Sequence, residues 1–573
     1  MQNRNSLLVI LLAFVSTTVF SQTTYVPLWA KEGWLLNRLE IKAQTNNDLN
    51  LSTVKPYMRK AYVAVADSFR SMLINGENPA RLSKVDQYNL NRFQANNKEY
   101  SKYDVNSMPE WNRKKPWTKN LFPTTGSFLE VNEKDFYLLV NPVFNFNAGK
   151  ESNFDDMLYV NSKGATFRGL IAKKIGFDFF AADNQERGPR QFRDFVNTNK
   201  AVPGEAFFKS FKGNGVDYFD ARGSINANVT RYINVQFGYD KNFIGNGYRS
   251  LFLSDFSAPN LFLKLNTRIW KLNYTNLFME LFPTKKSANN NNEVLARKYS
   301  AMHHLSINAT KWLNVGVFEG VVFGRKDKFD FSYLLPVIFL RSIEGNNGSP
   351  DNANIGIDVK ANIKRKVQLY GQVLIDEMNI SELRKDKTYW ANKIGLQLGG
   401  KYVDVFNISN LDLQVEWNRV RPFTYSHFDS VGSYTHYNQP LAHPLGANFQ
   451  EFIGILNYQP IPKLYLTAKA IFYKKGLDSA GFTFGSNPNR TYEAASINNP
   501  FGRIRYNNYP MFSGVPAKCL YSSFTGSYEL FENMFIDVTG SLRIFKAENA
   551  AEINTNTVSF GIRWNMFRRE YDY

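Results

Sequence analysis

The stretch INVQFGYD, residues 233–240, has apolar or aromatic side chains at its odd positions and Asn, Gln, Gly and Asp at its even positions. Successive side chains of a β-strand point to opposite faces, so this spacing predicts a strand with one apolar and one polar face. The same alternation recurs from about Asp135 to the C-terminus, and in residues 558–566 the charged side chain lies on the polar face. A period of two over most of the chain predicts an all-β fold.

Composition distinguishes between the possible all-β architectures. Aromatic residues make up 15% of the chain, whereas the mean hydropathy is −0.37. A transmembrane β-barrel combines these values, because its strands alternate lipid-facing with lumen-facing residues and end in aromatic girdles. We therefore predict an all-β transmembrane barrel of about 18 antiparallel strands, located in the cell outer membrane. A soluble β-propeller or β-sandwich array has the same period, but it predicts polar rather than aromatic residues on one face of each strand.

The connections between the candidate strands alternate in length. Short turns are predicted near 229–235, 309–315, 362–370, 460–468 and 530–538, and long polar stretches near 184–216, 241–260, 283–299, 324–352, 377–388, 419–446 and 475–515. Bacterial outer-membrane barrels have short periplasmic turns and longer extracellular loops. The long stretches are therefore expected on the outer side.

The first 120 residues have a different pattern. Arg4, an apolar run and small residues before Gln22 predict a signal peptide over residues 1–21. Ser52 is a candidate N-cap for a helix with apolar positions from Val54 to Leu73, and a second helix candidate runs from Leu82 to Phe93. We expect residues 22–120 to form a small N-terminal periplasmic α-helical domain with a basic linker at 111–120, followed by the barrel over residues 121–573.

The chain has a formal net charge of +19 at pH 7 and a single cysteine, Cys519. One cysteine excludes an internal disulfide and a cysteine-rich metal site. The positive charge favours acidic partners, and residues 186–212 interleave cations with phenylalanines, a pattern that also suits single-stranded nucleic acid. Because the chain is expected to be exported, we predict outer-membrane lipids, lipopolysaccharide and extracellular polysaccharide as partners, and no nucleic acid.

Two groups of histidines are candidates for catalytic or metal-binding chemistry. In HHLS, residues 303–306, the alternation places His304 and Ser306 on the lumen face. An outer-membrane phospholipase carries its serine on the outer wall, so hydrogen bonding within the lumen is the simpler interpretation. His427, His436 and His443 are nine and seven residues apart, which matches no standard zinc pattern. We predict no enzymatic activity, no metal and no cofactor.

The loop FIGNGYRSLFLSD, residues 243–255, has two glycines but lacks the helix that a dinucleotide or phosphate loop requires. Gly245 and Gly247 are predicted to allow a positive φ in a loop at the barrel mouth. Further candidate structural-loop residues are Pro259, Pro444 and Gly446. Aromatic and planar hydrogen-bonding side chains in and near the long loops suit a sugar ligand. The candidate polysaccharide-binding residues are Tyr248, Arg249, Arg419, Arg421, Tyr425, His427, Tyr434, His436 and His443.

Two motifs, YDKNFIGNGYRSLFLSDFSAPN (239–260) and THYNQPLAHPLGANFQEF (435–452), resemble the capsule-assembly outer-membrane family typified by Wzi, including its gliding-motility-associated branch. The matching positions are Gly245, Gly247, Ser250, Leu251, Ser254 and Pro259 in the first motif, and Pro440, Leu441, His443, Pro444, Leu445 and Gly446 in the second. The resemblance implies an 18-stranded barrel with a periplasmic helical bundle. It also implies a lectin-like role in holding extracellular polysaccharide at the cell surface.

Three functions remain open from the sequence. The first is a barrel that binds, anchors or helps to assemble surface polysaccharide. The second is a gliding-motility or protein-secretion accessory barrel, which would recruit a periplasmic or secretion-machinery protein through the helical domain. The third is a diffusion porin.

Overall fold

The structure is a computed structural model that describes residues 23–28, 30–44, 51–103, 126–283, 295–336, 339–348, 350–479, 481–493 and 502–573. The predicted signal peptide and the basic linker at 111–120 lie outside the described residues. Among the residues described, no helix has the length and apolarity needed to span a bilayer.

Eighteen antiparallel strands form one closed barrel within the described part of the chain. Each strand pairs with its neighbours in chain order. The strands are β1 (Phe136–Glu151), β2 (Phe154–Ile171), β3 (Ile175–Arg187), β4 (Gly215–Asn228), β5 (Ile233–Asp240), β6 (Asn260–Ile269), β7 (Leu272–Leu281), β8 (Lys298–Asn308), β9 (Leu313–Phe323), β10 (Asn352–Ile363), β11 (Val367–Glu377), β12 (Lys393–Tyr402), β13 (Leu411–Val420), β14 (Phe449–Ile461), β15 (Leu464–Leu477), β16 (Val515–Phe531), β17 (Met534–Ala547) and β18 (Ile553–Trp564).

The barrel closes where its last strand meets its first. β18 pairs with the second half of β1, from Thr557 opposite Glu151 to Trp564 opposite Phe144. The first half of β1 pairs instead with a short strand, Leu129–Asn132. Two segments from opposite ends of the chain therefore share the position beside β1, and the fold class predicted from the sequence is confirmed.

The two ends of the barrel differ, as the connection lengths predict. At the short-turn end, turns such as 309–312, 364–366 and 462–463 join neighbouring strands. At the long-loop end, strands are joined by the connections 188–214, 241–259, 282–297, 324–351, 378–392, 421–448 and 478–514, of which only the described residues are placed. The first of these contains a helix, α4 (Arg190–Asn199), within the stretch that the sequence predicts as a long polar loop.

Three N-terminal helices, α1 (Glu32–Ala43), α2 (Arg59–Ile74) and α3 (Lys84–Ala95), cover the short-turn end. Arg38 of α1 is ion-paired with Asp86 of α3 at 2.9 Å and with Asp404 of a short turn at 3.0 Å. Arg92 of α3 is ion-paired with Glu532 of another short turn at 2.6 Å. The helices are thus fixed to the barrel by buried charge pairs, and their treatment as a separate domain stays a prediction.

The predicted start of the second of these helices is wrong. Ser52 does not cap it, and α2 begins at Arg59. Val54 and Tyr57 belong instead to short strands on either side of Pro56. A residue that precedes proline is disfavoured in the helical region, so Lys55 ends any helix there. The Ser52 hydroxyl donates instead to Glu40 of α1, at 2.5 Å.

The described part of the connection 324–351 packs on the outer wall of the barrel near its long-loop end. Tyr333 and Leu340 of this connection pack with Phe323 and other outward-facing side chains of β7 to β10. The carboxylate of Glu319, which lies on the outer face of β9, accepts bonds from the amides of Phe339 at 2.6 Å and Arg341 at 2.7 Å. This outer-wall loop therefore covers a charge that would otherwise face lipid.

Candidate functional site

The segment 243–255 lies inside the lumen and not at the barrel mouth. Phe243 and Ile244 pair with Lys55 and Val54, which reach in from the N-terminal region. Leu251, Phe252 and Leu253 are almost completely buried, in the largest apolar cluster of the described residues. The lumen between β6 and β15 is therefore filled by a core that the inward-folded connections bring with them.

The glycine loop, residues 243–255, binds an anionic group, but this group is a carboxylate of the protein itself. The Glu416 carboxylate of β13 accepts bonds from the amides of Tyr248 at 2.7 Å and Arg249 at 3.1 Å. A Cβ on Gly247 would overlap this carboxylate and would lie 2.8 Å from the Arg249 carbonyl oxygen. Glycine is therefore needed at position 247 so that the backbone can lie close to the Glu416 carboxylate.

The predicted positive φ of Gly245 and Gly247 is wrong, since neither is among the residues with positive φ. Around Gly245 a Cβ would meet the Phe243 ring, the Ser250 hydroxyl and the Gln372 amide at 3.1–3.2 Å. Gly446 does have a positive φ, of 69°. Close packing inside the lumen, and not a turn at its mouth, explains the pair of glycines.

Tyr248 and Arg249 contact the C-terminal tail, which we define as residues 565–573. The Arg249 guanidinium donates to the Asp572 carbonyl oxygen at 2.6 Å, and Lys469 of β15 is ion-paired with the Asp572 carboxylate at 2.6 Å. The Tyr248 hydroxyl donates to Asp572 and to Glu570. Burial alone would raise the pKa of the Asp572 carboxyl, but Arg249 and Lys469 lower it well below its usual value.

Tyr425 and Tyr434 fix the same segment from the opposite side. Their rings stack with centroids 5.6 Å apart. The Tyr425 hydroxyl donates to the Leu251 carbonyl at 2.8 Å, and the Tyr434 hydroxyl donates to the Phe252 carbonyl at 2.7 Å. Both side chains are about 1% exposed, so within this structure they position the lumen core and have no free face for a ligand.

All three loop histidines are also buried, His436 and His443 completely and His427 with 7% of its surface exposed. His436 accepts a bond at Nδ1 from the Phe282 amide at 3.1 Å, and its Nε2 lies 3.2 Å from the Pro259 carbonyl, to which it donates. Burial lowers the pKa of His436 to about 3. His443 Nε2 lies 2.8 Å from the Glu451 carboxylate, and burial lowers the pKa of His443 despite that neighbour. Pro444, which follows it, is partly exposed.

The remaining predicted residues, Arg419, Arg421 and His427, lie in three different places. Arg419 lies on the outer face of β13, because its neighbour Val420 is buried in the lumen core. Arg421 donates to the Asn392 carbonyl at 2.6 Å and so supports the connection 378–392. His427 pairs with Asp429 at 3.1 Å and reaches a cavity at the long-loop end. Polysaccharide binding by the nine predicted residues stays a prediction, but only His427 lines this cavity.

That cavity, which we call the long-loop cleft, has a volume of about 800 Å³ and opens to solvent. The connections 324–351, 378–392, 421–448 and 478–514 contribute to it, together with the tops of β10 to β12. Its lining includes Arg341, Glu344, Asp351, Asp376, Glu377, Tyr389, Lys393, His427, Phe428 and Tyr492.

Aromatic rings and charged groups both line the long-loop cleft. The Lys393 ammonium lies 4.3 Å from the Tyr492 ring centroid and 3.0 Å from the Glu377 carboxylate. The Tyr389 and Tyr506 hydroxyls are 2.9 Å apart. Phe428 has 39% of its surface exposed. Ring faces beside carboxylates and an ammonium can pack against the C–H face of a sugar while its hydroxyls hydrogen-bond.

Sequence reasoning missed Tyr389, Lys393, Phe428 and Tyr492. Three of them come from connections that are distant in sequence, Lys393 is the first residue of β12, and none belongs to a spaced motif. The one available signal is the cluster of aromatic and basic residues in TYWANK, residues 388–393, within a polar stretch.

No metal site is evident in the described part of the chain, since no group of three or more His, Cys, Asp or Glu side chains there is arranged to hold an ion. Cys519 is buried in β16. Hydrogen bonding and ring contact are therefore the chemistry that the described cleft offers.

Comparison with protein-family models finds no match, and comparison with curated proteins finds none either. Among solved structures, the chain is similar to Wzi, described as a carbohydrate-binding β-barrel and outer-membrane protein involved in group 1 capsule assembly in Escherichia coli. The two are 13% identical with a TM-score of 0.50, over 93% of this chain and 98% of that one. OprD of Pseudomonas aeruginosa is 10% identical with a TM-score of 0.41, over 74% and 94% of the two chains. The likeness to Wzi is one of fold, that of an outer-membrane barrel.

Proposed function

We propose that this protein is an outer-membrane barrel that binds extracellular polysaccharide through the long-loop cleft, and so holds or helps to assemble it at the cell surface. The observation that carries the proposal is the cleft itself, where ring faces lie beside charged hydrogen-bonding groups. In this orientation the long-loop end faces the exterior and α1 to α3 face the periplasm.

The chemistry of the cleft favours one class of sugar. The carboxylates of Glu344, Asp351, Asp376 and Glu377 outnumber its cations, Arg341 and Lys393. Carboxylates accept pairs of bonds from sugar hydroxyls and attract ammonium groups, whereas they repel acidic sugars. The cleft therefore suits a neutral or amino-sugar segment, although the whole chain is basic.

The filled lumen is the reason to prefer this function over a general diffusion porin. Buried side chains from the connections 241–259 and 421–448 occupy the lumen beside β6 to β15, and α1 to α3 cover the short-turn end. A motility or secretion accessory role remains a prediction that no specific contact favours.

The test compares two phenylalanines that are equally exposed, Phe428 in the cleft and Phe482 in the connection 478–514 but outside the cleft lining, each 39% exposed. Burial of that fraction of a phenylalanine by a sugar contributes about 0.6–1.2 kcal/mol, so Phe428→Ala should weaken binding about three- to eightfold. Titration calorimetry would use size-fractionated polysaccharide released from the surface of the producing bacterium. Phe482→Ala should bind like the wild type. Equal affinity of both variants and the wild type, or no binding by any of them, would overturn the proposal.

A further inference from the structure

Five consecutive short turns form a basic arc on the rim of the barrel. They join β2 to β3, β4 to β5, β6 to β7, β8 to β9 and β10 to β11, and together they contain eight lysines and arginines and no aspartate or glutamate. Strands that are consecutive in the chain are neighbours in the wall, so these turns lie side by side around the short-turn end. We call them the basic rim; they are residues 172–174, 229–232, 270–271, 309–312 and 364–366.

The cations of the basic rim reach the surface. Lys173, Arg231 and Arg365 are exposed, and none of the three forms an ion pair within the described residues. Lys366 donates to the side-chain oxygen of Asn407 at 2.6 Å, which is a neutral acceptor. The basic rim therefore presents a positive charge that its own turns do not offset.

The other side of the short-turn end is occupied by the N-terminal helices. Asp404, in the turn between β12 and β13, is ion-paired with Lys42 of α1 at 2.7 Å. Glu532, in the turn between β16 and β17, is ion-paired at 2.6 Å with Lys31, which precedes α1. Turns that carry carboxylates thus hold the helices by their cations, and the turns of the basic rim offer no such group. The charge of the basic rim is therefore suited to a partner outside the chain.

Aromatic side chains indicate the surroundings of the basic rim. Trp270 and Trp312 are 76% and 42% exposed, and Tyr232 is exposed as well. The Lys271 ammonium lies 5.2 Å from the Trp270 ring centroid, and the central carbon of the Arg231 guanidinium lies 4.5 Å from the Tyr232 ring centroid. Tryptophan and tyrosine are enriched at the membrane–water interface, where their rings lie at the level of the lipid headgroups. Exposed rings beside the cations therefore favour a lipid surface over a soluble acidic partner.

We propose that the basic rim binds the headgroups of anionic phospholipids in the leaflet that the short-turn end faces. Lysine and arginine side chains near the ends of membrane spans extend to the headgroup region, where they can donate to phosphate oxygens. A zwitterionic headgroup offsets its phosphate with its own ammonium, so a cationic surface prefers lipids of net negative charge. This interaction uses the opposite end of the barrel from the long-loop cleft, and it does not depend on the proposed binding of polysaccharide.

The test is quenching of tryptophan fluorescence by lipids with brominated acyl chains, in full-length protein reconstituted into phosphatidylcholine vesicles. Trp270 and Trp312 belong to the basic rim and are exposed, so they report on the lipids bound there. Brominated phosphatidylglycerol should quench at a severalfold lower mole fraction than brominated phosphatidylcholine, because each nearby cation favours the anionic lipid by about fivefold. Potassium chloride at about 1 M should remove most of this difference, because it screens the charges.

The rim variant combines Arg231→Gln, Lys271→Gln and Arg365→Gln, which removes cations from three turns of the basic rim. It should be quenched by the two lipids at equal mole fractions. The salt measurement uses the wild type, so it decides the question even if this variant does not fold.

The matched control combines Arg384→Gln, Lys385→Gln and Lys387→Gln, which removes the same charge from exposed positions in the connection 378–392 at the long-loop end. It should keep the preference of the wild type for phosphatidylglycerol. The inference is overturned if the wild type does not distinguish the two lipids, if its preference persists in high salt or in the rim variant, or if the control loses it to the same extent.

Discussion

Gly247→Ala tests whether the glycine loop exists to approach a carboxylate. The added Cβ would overlap Glu416 and lie 2.8 Å from the Arg249 carbonyl. The Glu416 carboxylate accepts the amides of Tyr248 and Arg249 and the Tyr370 hydroxyl, at 2.7–3.1 Å, so it cannot withdraw without lengthening these bonds. Overpacking costs about 1–3 kcal/mol, and a weakened bond to a charged acceptor costs about 1.5–3 kcal/mol. We expect Gly247→Ala to lower the free energy of unfolding by about 2.5–6 kcal/mol.

The assay is urea unfolding of the barrel in phospholipid vesicles, followed by tryptophan fluorescence with unfolding and refolding curves that coincide. Gly454→Ala in β14 is the matched control, because a Cβ there has no atom within 4 Å. Alanine in place of a strand glycine stabilises by about 0.5–1 kcal/mol when nothing opposes it, so the control should unfold at the same or higher urea. If Gly247→Ala is as stable as Gly454→Ala, the close-approach explanation is wrong.

Three further predictions concern the core, the helices and the outer wall. Tyr434→Phe removes the bond to the Phe252 carbonyl and should lower the free energy of unfolding in the same urea assay by about 1 kcal/mol, whereas an unchanged value would show that this bond does not position the segment. Burial raises the pKa of the Asp86 carboxyl, but Arg38 and Lys42 lower it well below its ordinary value. The ionised Asp86 carboxylate therefore stabilises the folded state fully above about pH 4, and this stabilisation decreases as the pH falls further. Proteolysis of α1 to α3 by pepsin should accelerate in that acidic range, and less steeply in Asp86→Asn. Glu319→Ala removes the acceptor of the Phe339 and Arg341 amides. Trypsin should therefore cleave the outer-wall loop after Lys328 or Arg341 faster than in the wild type. Cleavage at the same rate would show that Glu319 does not hold the loop on the barrel wall.

The barrel was predictable because its determinants are local. Residues 233–240 alternate in the sequence, and in β5 the even positions Asn234 and Gln236 are buried while Phe237 and Tyr239 are exposed on the outer face. Many of the wall strands, such as β10 and β16, repeat this rule, and short turns separate them. The position of each strand therefore follows from its own residues and from its neighbours in the chain.

The site was not predictable in the same way. Residues 243–255 follow a strand and carry Gly, Asn and Arg, so they have the composition of an exposed loop; their burial depends on Glu416, Tyr425 and Tyr434, which lie far along the chain. The long-loop cleft likewise depends on four connections that meet only in the folded barrel. The start of α2, by contrast, was predictable from a local signal. Pro56 disfavours a helical conformation at Lys55, so the helix should have been predicted to begin after it.

The shared position beside β1 has a consequence for the order of assembly. The wall can close only when β18, from the end of the chain, reaches β1, near its beginning. A pairing so distant in sequence is slow to form, and until it forms β1 presents an unpaired edge that another strand could occupy. The lumen core and the C-terminal tail lie inside the ring, so they are best placed while that edge is still open. Closure would then be the last step of folding. The segment Leu129–Asn132 pairs with the first half of β1, so only the second half of that edge would be left for β18 to pair with.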